Sequence, residues 1–303
     1  MRSWVLRPAA VVLGIVLLLG LTEVGLRAIG LGDPVVYDNR LAWGYRPLPD
    51  QTRLRLFGAR VHVNALGVRG PDVPAMRPRD TTRLLFLGDS VTWGGSYVDD
   101  DDLFAAVAAR RLAVDGRLVE WLDAGVNGWG PENVLGLVRE TNGFDSSIWI
   151  VTALADDLRR EKTHVGEVPY FNAPPTTALE ELLVRGAYAL LTAYKRPKPD
   201  ADLQRLAEAN LAHYGAIVDH GRAVGAHVLL VWHPTTEALA SDVDAYRDRF
   251  LALAARAGGV GLDLGPAYRA VGGGVYLDGM HLDTTGHRVA GEAIGDALRR
   301  IAP

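Results

Sequence analysis

The chain has no cysteine among its 303 residues. That excludes disulfides, thiol nucleophiles and cysteine-ligated metals, and it leaves the redox compartment open. Basic excess is missing too. The 32 Lys and Arg stand against 36 Asp and Glu, a net charge of −4, whereas a nucleic-acid binder would usually show a basic face. There is no internal repeat and no low-complexity tract. What remains is 49 % apolar, enough to fill a core in one sizeable domain with attachments or in two small ones.

Charge is also absent from Pro8 to Thr22, a Leu- and Val-rich stretch that Arg2 and Arg7 precede and Glu23 and Arg27 follow. Alone it falls short of the ~20 residues that a bilayer span needs. Trp4 to Leu26 suffices if Arg7 snorkels to the interface and Glu23 lies at the far surface. Residues 1–30 are therefore expected to be an uncleaved membrane anchor, with a cleaved signal segment or a buried soluble helix as the alternatives. The small-x-small triplet Ala28-Ile29-Gly30 lies beyond two charges, far from the apolar run. The leading arginines put the N-terminus in the cytoplasm, so the body is expected outside a bacterial inner membrane.

Residues 31–80, rich in Pro, Gly and Arg, read as an irregular lead with a small hairpin. From residue 81 to 303 the pattern alternates between strand and helix. Short apolar runs at 83–87, 118–122, 147–152, 227–232 and 260–264 suit buried parallel strands, and helical periodicity lies at 102–113, 131–140, 202–223, 238–257 and 285–301. This implies an α/β domain with a parallel five-stranded sheet covered by helices on both faces. An insertion at about 158–200 breaks the alternation. It holds Pro169-Tyr170-Phe171, a helical piece from Thr177 to Tyr194 and a basic end, Lys195-Arg196-Pro197-Lys198-Pro199. It reads either as a lid beside the strand ends or as a cover over a sheet edge. The acidic run Asp99 to Asp102 precedes a helix and is read as serving its dipole and solubility rather than a metal.

Two motifs carry the chemistry. Phe86-Leu87-Gly88-Asp89-Ser90 is a strand running into a tight turn that presents a serine, and Asp278-Gly279-Met280-His281 sets a carboxylate three residues before an imidazole. Ester chemistry needs a hydroxyl to attack, a base to take its proton and an acid to hold the base. Ser90, His281 and Asp278 fill those roles, although Ser90 alone would read equally well as a helix N-cap. Asp283 or Thr284 caps the last helix, and His287 within it reads as a packing or surface residue. His233, at the end of the fourth strand, faces the same rim as a substrate contact or a structural histidine. In Ala124 to Gly130, Gly128 lets backbone N–H groups approach a ligand, or merely turns the chain. Trp93 and Trp129 stand beside these motifs and would suit stacking on sugar rings or acyl chains, or the core.

In this order the motifs resemble those of the SGNH hydrolase superfamily, the GDSL esterases and lipases. Gly88-Asp89-Ser90 matches the nucleophile block, Gly128 the oxyanion glycine of the second block, and Asp278-x-x-His281 the last. Asn64-Ala65-Leu66-Gly67-Val68-Arg69-Gly70 resembles a lead found in membrane-anchored bacterial members. The resemblance covers roughly 83–300 and implies a flavodoxin-like three-layer fold, no cofactor and deacylation of esters. It departs at the third block, where the family has Gly-x-Asn-Asp. The chain has Ala153-Leu154-Ala155-Asp156-Asp157, with Asp156 taken at the asparagine position of the oxyanion hole. An ionised carboxylate at ~3 Å would oppose the developing charge by on the order of 5 kcal/mol at an effective dielectric of ~20. Asp156 is therefore expected to stay protonated and donate, to turn away and leave Ser90 and Gly128 as donors, or to bind a substrate ammonium or hydroxyl.

The expected activity is cleavage of acetyl or short acyl esters on an envelope glycan or lipid outside the cytoplasm. The alternatives are O-acyl transfer to an envelope polysaccharide and a weakly catalytic binding or assembly role. An acylated glycan or small molecule and, through the N-terminal helix, the membrane are the expected partners; no nucleic acid, metal or cofactor is.

Overall fold

Short segments, apolar throughout at the centre and half-exposed at the two edges, pair into one parallel sheet whose middle strands are buried on both faces. The computed structural model describes residues 3–113, 116–164, 171–193, 199–241, 244 and 246–301. Pro169, Tyr170, Tyr194 and the basic residues Lys195 to Lys198 of the insertion lie outside the described residues.

Among the described residues the chain opens with helix α1 (Ser3–Ala28) and two antiparallel hairpins, β1 (Tyr37–Leu41) with β2 (Gly44–Pro47) and β3 (Gln51–Leu54) with β4 (Arg60–Val63). The body follows: β5 (Thr81–Leu87), α2 (Ser90–Trp93), α3 (Phe104–Leu112), β6 (Leu118–Asp123), α4 (Pro131–Thr141), β7 (Ile148–Ala153), α5 (Ala155–Leu158), α6 (Ala178–Ala193) and α7 (Asp200–Ala223). It ends with β8 (His227–Trp232), α8 (Thr236–Ser241), α9 (Arg247–Ala252), β9 (Val260–Asp263), α10 (Gly265–Ala270) and α11 (Thr284–Leu298).

The central sheet runs β6-β5-β7-β8-β9 with every neighbouring pair parallel. That is the flavodoxin-like order, and its ligand site is expected beyond the carboxyl ends of the strands, where the order reverses. Alternation along each strand sorts the core into two. Leu85, Leu87, Trp149, Val151, Leu230 and Trp232 face α4, α7 and Phe250 of α9. Leu84, Phe86, Ile150, Leu229 and Val231 face α3 and α11. The result is three layers, helix on sheet on helix.

Three expectations change. The lead 31–80 holds two hairpins rather than one and is joined to the body: Arg69 bridges Val63 and the end of β6 at Asp123. The Arg69 side chain, fully buried, meets Asp100 at 2.7 Å. The acidic run Asp99 to Asp102 thus serves as a socket for basic groups, Asp100 for Arg69 and Asp99 and Asp101 for Arg60, and not simply as a solubilising cap. The single helix expected at 238–257 is broken. Asp244 accepts from the indole of Trp232 at 2.9 Å and from the backbone N–H of Tyr246 at 3.2 Å, a local turn that competes with the helix.

The helix α1 is the one described segment long and apolar enough to cross a membrane by length and composition, over Pro8–Ala28 with a mean hydropathy of 2.3 and none of it buried in the protein.

Candidate active site

The nucleophile turn is built by residues that leave no latitude. A Cβ on Gly88 would lie 2.2 Å from the Thr92 hydroxyl and 3.1 Å from the carbonyl of Thr152, so only glycine lets β5 turn here. Asp89 then caps α2, accepting from the N–H of Val91 at 2.9 Å. Ser90 is thus the first residue of a short helix at the carboxyl end of a central strand. Beneath it, Arg160 Nη1 donates to Asp89 at 3.0 Å and to the carbonyl of Trp129 at 2.8 Å, and pairs with Asp157 at 3.3 Å. One guanidinium ties the segment after β7 to the loops after β5 and β6. Burial, and then the neighbouring charge of Asp89, push the Asp157 carboxyl well above its ordinary pKa.

Ser90 Oγ lies 2.8 Å from His281 Nε2, and His281 Nδ1 lies 2.7 Å from Asp278 Oδ2. The other Asp278 oxygen accepts from the N–H groups of Met280 at 2.9 Å and His281 at 2.7 Å. Burial raises the Asp278 pKa, but those N–H groups and the imidazole outweigh it and hold the carboxyl below its ordinary value. An ionised Asp278 at Nδ1 requires the proton on that nitrogen, which frees Nε2 to accept from Ser90. Ser90 and His281, 191 residues apart in the sequence, thus converge with Asp278 in one hydrogen-bonded relay.

Gly128 sits with Ser90 and His281 around a cavity of about 410 Å3. Its φ of +79° is a left-handed conformation that disfavours any side chain. Among the described residues neither the Ser90 nor the Gly128 backbone N–H has an acceptor within the protein. The loop is strapped from three directions: Thr163 donates to the Gly128 carbonyl at 2.6 Å, Tyr45 to the Asn127 carbonyl at 2.6 Å, and the Asn127 side chain bonds the Tyr37 hydroxyl.

Four expected contacts do not reach the cavity. Trp93 is wholly buried with the Arg69 guanidinium 5.3 Å from its ring. Trp129 is 1 % exposed, packed edge-on against Trp43, with its indole N–H on the carbonyl of Tyr45 at 3.0 Å. Neither ring has a free face for stacking. His233 is buried beneath the relay, its Nε2 on the Met280 carbonyl at 2.8 Å and its Nδ1 on the Tyr268 hydroxyl at 2.9 Å, so it supports the 278–281 loop and does not line this cavity. Asp156 is half-buried on α5 and is not among the cavity residues. The next residue, Asp157, folds its carboxylate back onto the N–H of Leu154, and side chains one residue apart on a helix diverge by about 100°. His287 is a packing residue, stacked on Phe104 and accepting from its N–H at 3.2 Å.

Sequence reasoning missed Tyr37, Arg55, Asn127 and Arg185, which line the cavity. Three of them come from the lead and the insertion, where no motif marks them.

Burial pushes His233 down to about 4 and His287 down to about 3. With an unfolded value near ~6.5, each is neutral in both states above that pH and contributes nothing to its slope. Below it the unfolded chain takes a proton that the native site refuses, so stability falls as pH falls toward the native values. Asp123 and Asp157, whose pKa values burial raises, act in the opposite sense, so the effect is read as a difference. The stability gap between the wild type and His287→Leu, from urea unfolding, is expected to shrink by about 2 kcal/mol from pH 6.5 to pH 5. A gap independent of pH would show that His287 is not held neutral.

No protein-family model and no curated protein matches the chain. Solved structures similar to it include TesA, at 18 % identity and a TM-score of 0.47, covering 73 % of this chain and 99 % of that one. The acetyl xylan esterase AlAXEase is similar at 15 % identity and a TM-score of 0.45, covering 73 % of this chain and 100 % of its own. A lipase/acylhydrolase from Enterococcus faecalis is similar at 16 % identity and a TM-score of 0.43, covering 73 % of this chain and 96 % of that one.

Proposed function

We propose that the chain is a serine carboxylic-ester hydrolase, anchored by α1, that removes acetyl or short acyl groups from an extracytoplasmic glycan or lipid. The observation that carries this reading is the relay of 2.8 Å from Ser90 to His281 and 2.7 Å from His281 to Asp278. In it, Ser90 Oγ attacks the ester carbonyl while its proton passes to His281 Nε2, and Asp278 stabilises the imidazolium. The Ser90 and Gly128 N–H groups meet the oxyanion, with the Asn127 amide on the same wall. The C–O bond then breaks, the alcohol leaves with the proton from His281, and a water repeats the sequence on the acyl-enzyme to release the acid.

The test is turnover of p-nitrophenyl acetate by the purified full-length chain in detergent. The wild type is expected to hydrolyse it and to be labelled stoichiometrically by a fluorophosphonate at residue 90. Ser90→Ala is expected to do neither. Wild-type turnover no faster than that of Ser90→Ala removes the esterase reading.

A further inference from the structure

α6 is an unusual helix for a protein surface. One stripe holds it to the body: Ala178 and Glu181 are fully buried, and Arg185 and Tyr188 line the cavity. Glu181 receives the buried Arg55 guanidinium, the Gly32 N–H at 2.7 Å and Arg185 Nε at 2.9 Å. Beyond Glu180, most of the rest of its surface is apolar and uncovered. Leu182 is 43 % exposed, Leu183 63 %, Leu190 67 % and Leu191 74 %. After Arg185 the helix has no charge, and the next in the sequence are Lys195, Arg196 and Lys198.

Two neighbours say what covers that face. The first is α1, whose Glu23 carboxylate accepts from the N–H groups of Ala178 and Leu179 at 2.9 and 3.2 Å, so α6 starts where the apolar helix ends. The two helices meet only near this junction, and α1 is not buried anywhere along Pro8–Ala28. The second is the turn after β3. Its Arg55 backbone abuts Gly30, where a Cβ would lie 2.4 Å away. Two residues on, Phe57 is 90 % exposed and held at a φ of +58°, a strained backbone for an aromatic residue. An uncovered helix face, an outward-held phenylalanine and the exit of a span-length helix share one corner of the molecule.

We infer that α6 and Phe57 are a second membrane contact, lying in the lipid interface beside the exit of α1. This rests on reading α1 as membrane-inserted. A helix with an apolar face open to its surroundings binds such an interface by burying its side chains at the acyl boundary. Because Arg185, Tyr188 and Leu31 also line the catalytic cavity, its mouth opens at the lipid surface, which favours an ester carried by a lipid or held close to the bilayer.

The absence of cysteine makes the test direct. Single-cysteine variants L190C, F57C, L17C and L118C of the full chain, labelled with an environment-sensitive fluorophore, are reconstituted in phosphatidylcholine–phosphatidylglycerol vesicles with and without doxyl-labelled lipid. Leu118 is exposed at the amino end of β6, at the opposite end of the strands from the site. Labels at 190 and 57 are expected to lose about half of their fluorescence to the doxyl lipid, as groups at the acyl boundary should, and the label at 118 to lose none. Quenching at 17 without quenching at 190 and 57 overturns the inference and leaves the anchor standing. No quenching at any position overturns both. A blue shift at 190 that follows the protein-to-lipid ratio without doxyl quenching overturns it in favour of a second copy of the chain. Ester turnover, measured separately on the same vesicles, reports on the catalytic reading alone.

Discussion

Replacing His281 by alanine is expected to lower kcat for ester hydrolysis by about 10^4–10^6-fold, as loss of the base in such a relay does. The reason is that the Ser90 proton has no second usable acceptor. Asp89 lies 3.4 Å from Ser90 Oγ, but its carboxylate is occupied by Arg160 and by the N–H of Val91. The double variant with Ser90→Ala is expected to be no slower than either single one, because the two groups act as a unit. Asp278→Asn should cost less, about 10^2–10^4-fold. Its side chain is 55 % exposed, so water screens much of its charge. The asparagine oxygen can keep the N–H groups of Met280 and His281, and the residual loss comes from presenting a donor to Nδ1, which moves the ring proton to Nε2 and leaves Ser90 facing a donor. Steady-state kinetics on p-nitrophenyl acetate check the order. A His281→Ala chain within tenfold of the wild type would sink the relay.

The largest expected effect on stability lies outside the site. Arg69 is wholly buried and donates to Asp100 at 2.7 Å and to the carbonyls of Trp93, Gly95 and Val98 at 2.7, 2.8 and 2.6 Å. Methionine would fill much of the volume but leave those acceptors dry. Breaking one side of a buried pair costs about 3–5 kcal/mol, a large share of the roughly 5–15 kcal/mol that holds a typical domain. The Arg69→Met chain is therefore expected to melt at least about 10 °C lower than the wild type, if it accumulates folded at all. Burial already pushes the Asp100 pKa up against the pull of Arg69, so without Arg69 it should take up a proton in the folded state. Differential scanning calorimetry decides. A melting temperature within a degree or two would mean that the lead is not locked to the body through this residue.

The sheet was legible because buried parallel strands are apolar throughout. The run at 227–232 is the strand His227–Trp232 itself, and the run at 83–87 needed only its start moved, to Thr81. The relay was legible because Asp278 and His281 are near neighbours and Ser90 follows a strand. What a sequence window does not display is which side of a residue the rest of the chain covers. Trp93 and Trp129 stand next to the chemistry along the chain, yet Arg69 and Tyr45, from the lead, occupy their faces. Asp156 and Asp157 differ by one helical step, and a linear pattern cannot tell which of the two turns inward. Tyr37, Asn127 and Arg55 reach the cavity through contacts between segments that carry no periodicity of their own.

The carboxylate of Glu23 at the start of α6 ties α1 to the wall of the cavity. Cutting the chain after Ala28 would carry off the acceptor for the amides of Ala178 and Leu179 and strip the guanidinium of Arg27 from its contact with Thr176. Those amides begin the helix that supplies Arg185 and Tyr188 to the cavity. A form trimmed there would therefore start with a loosened cavity wall, so the apolar helix and the pocket are coupled through one side chain.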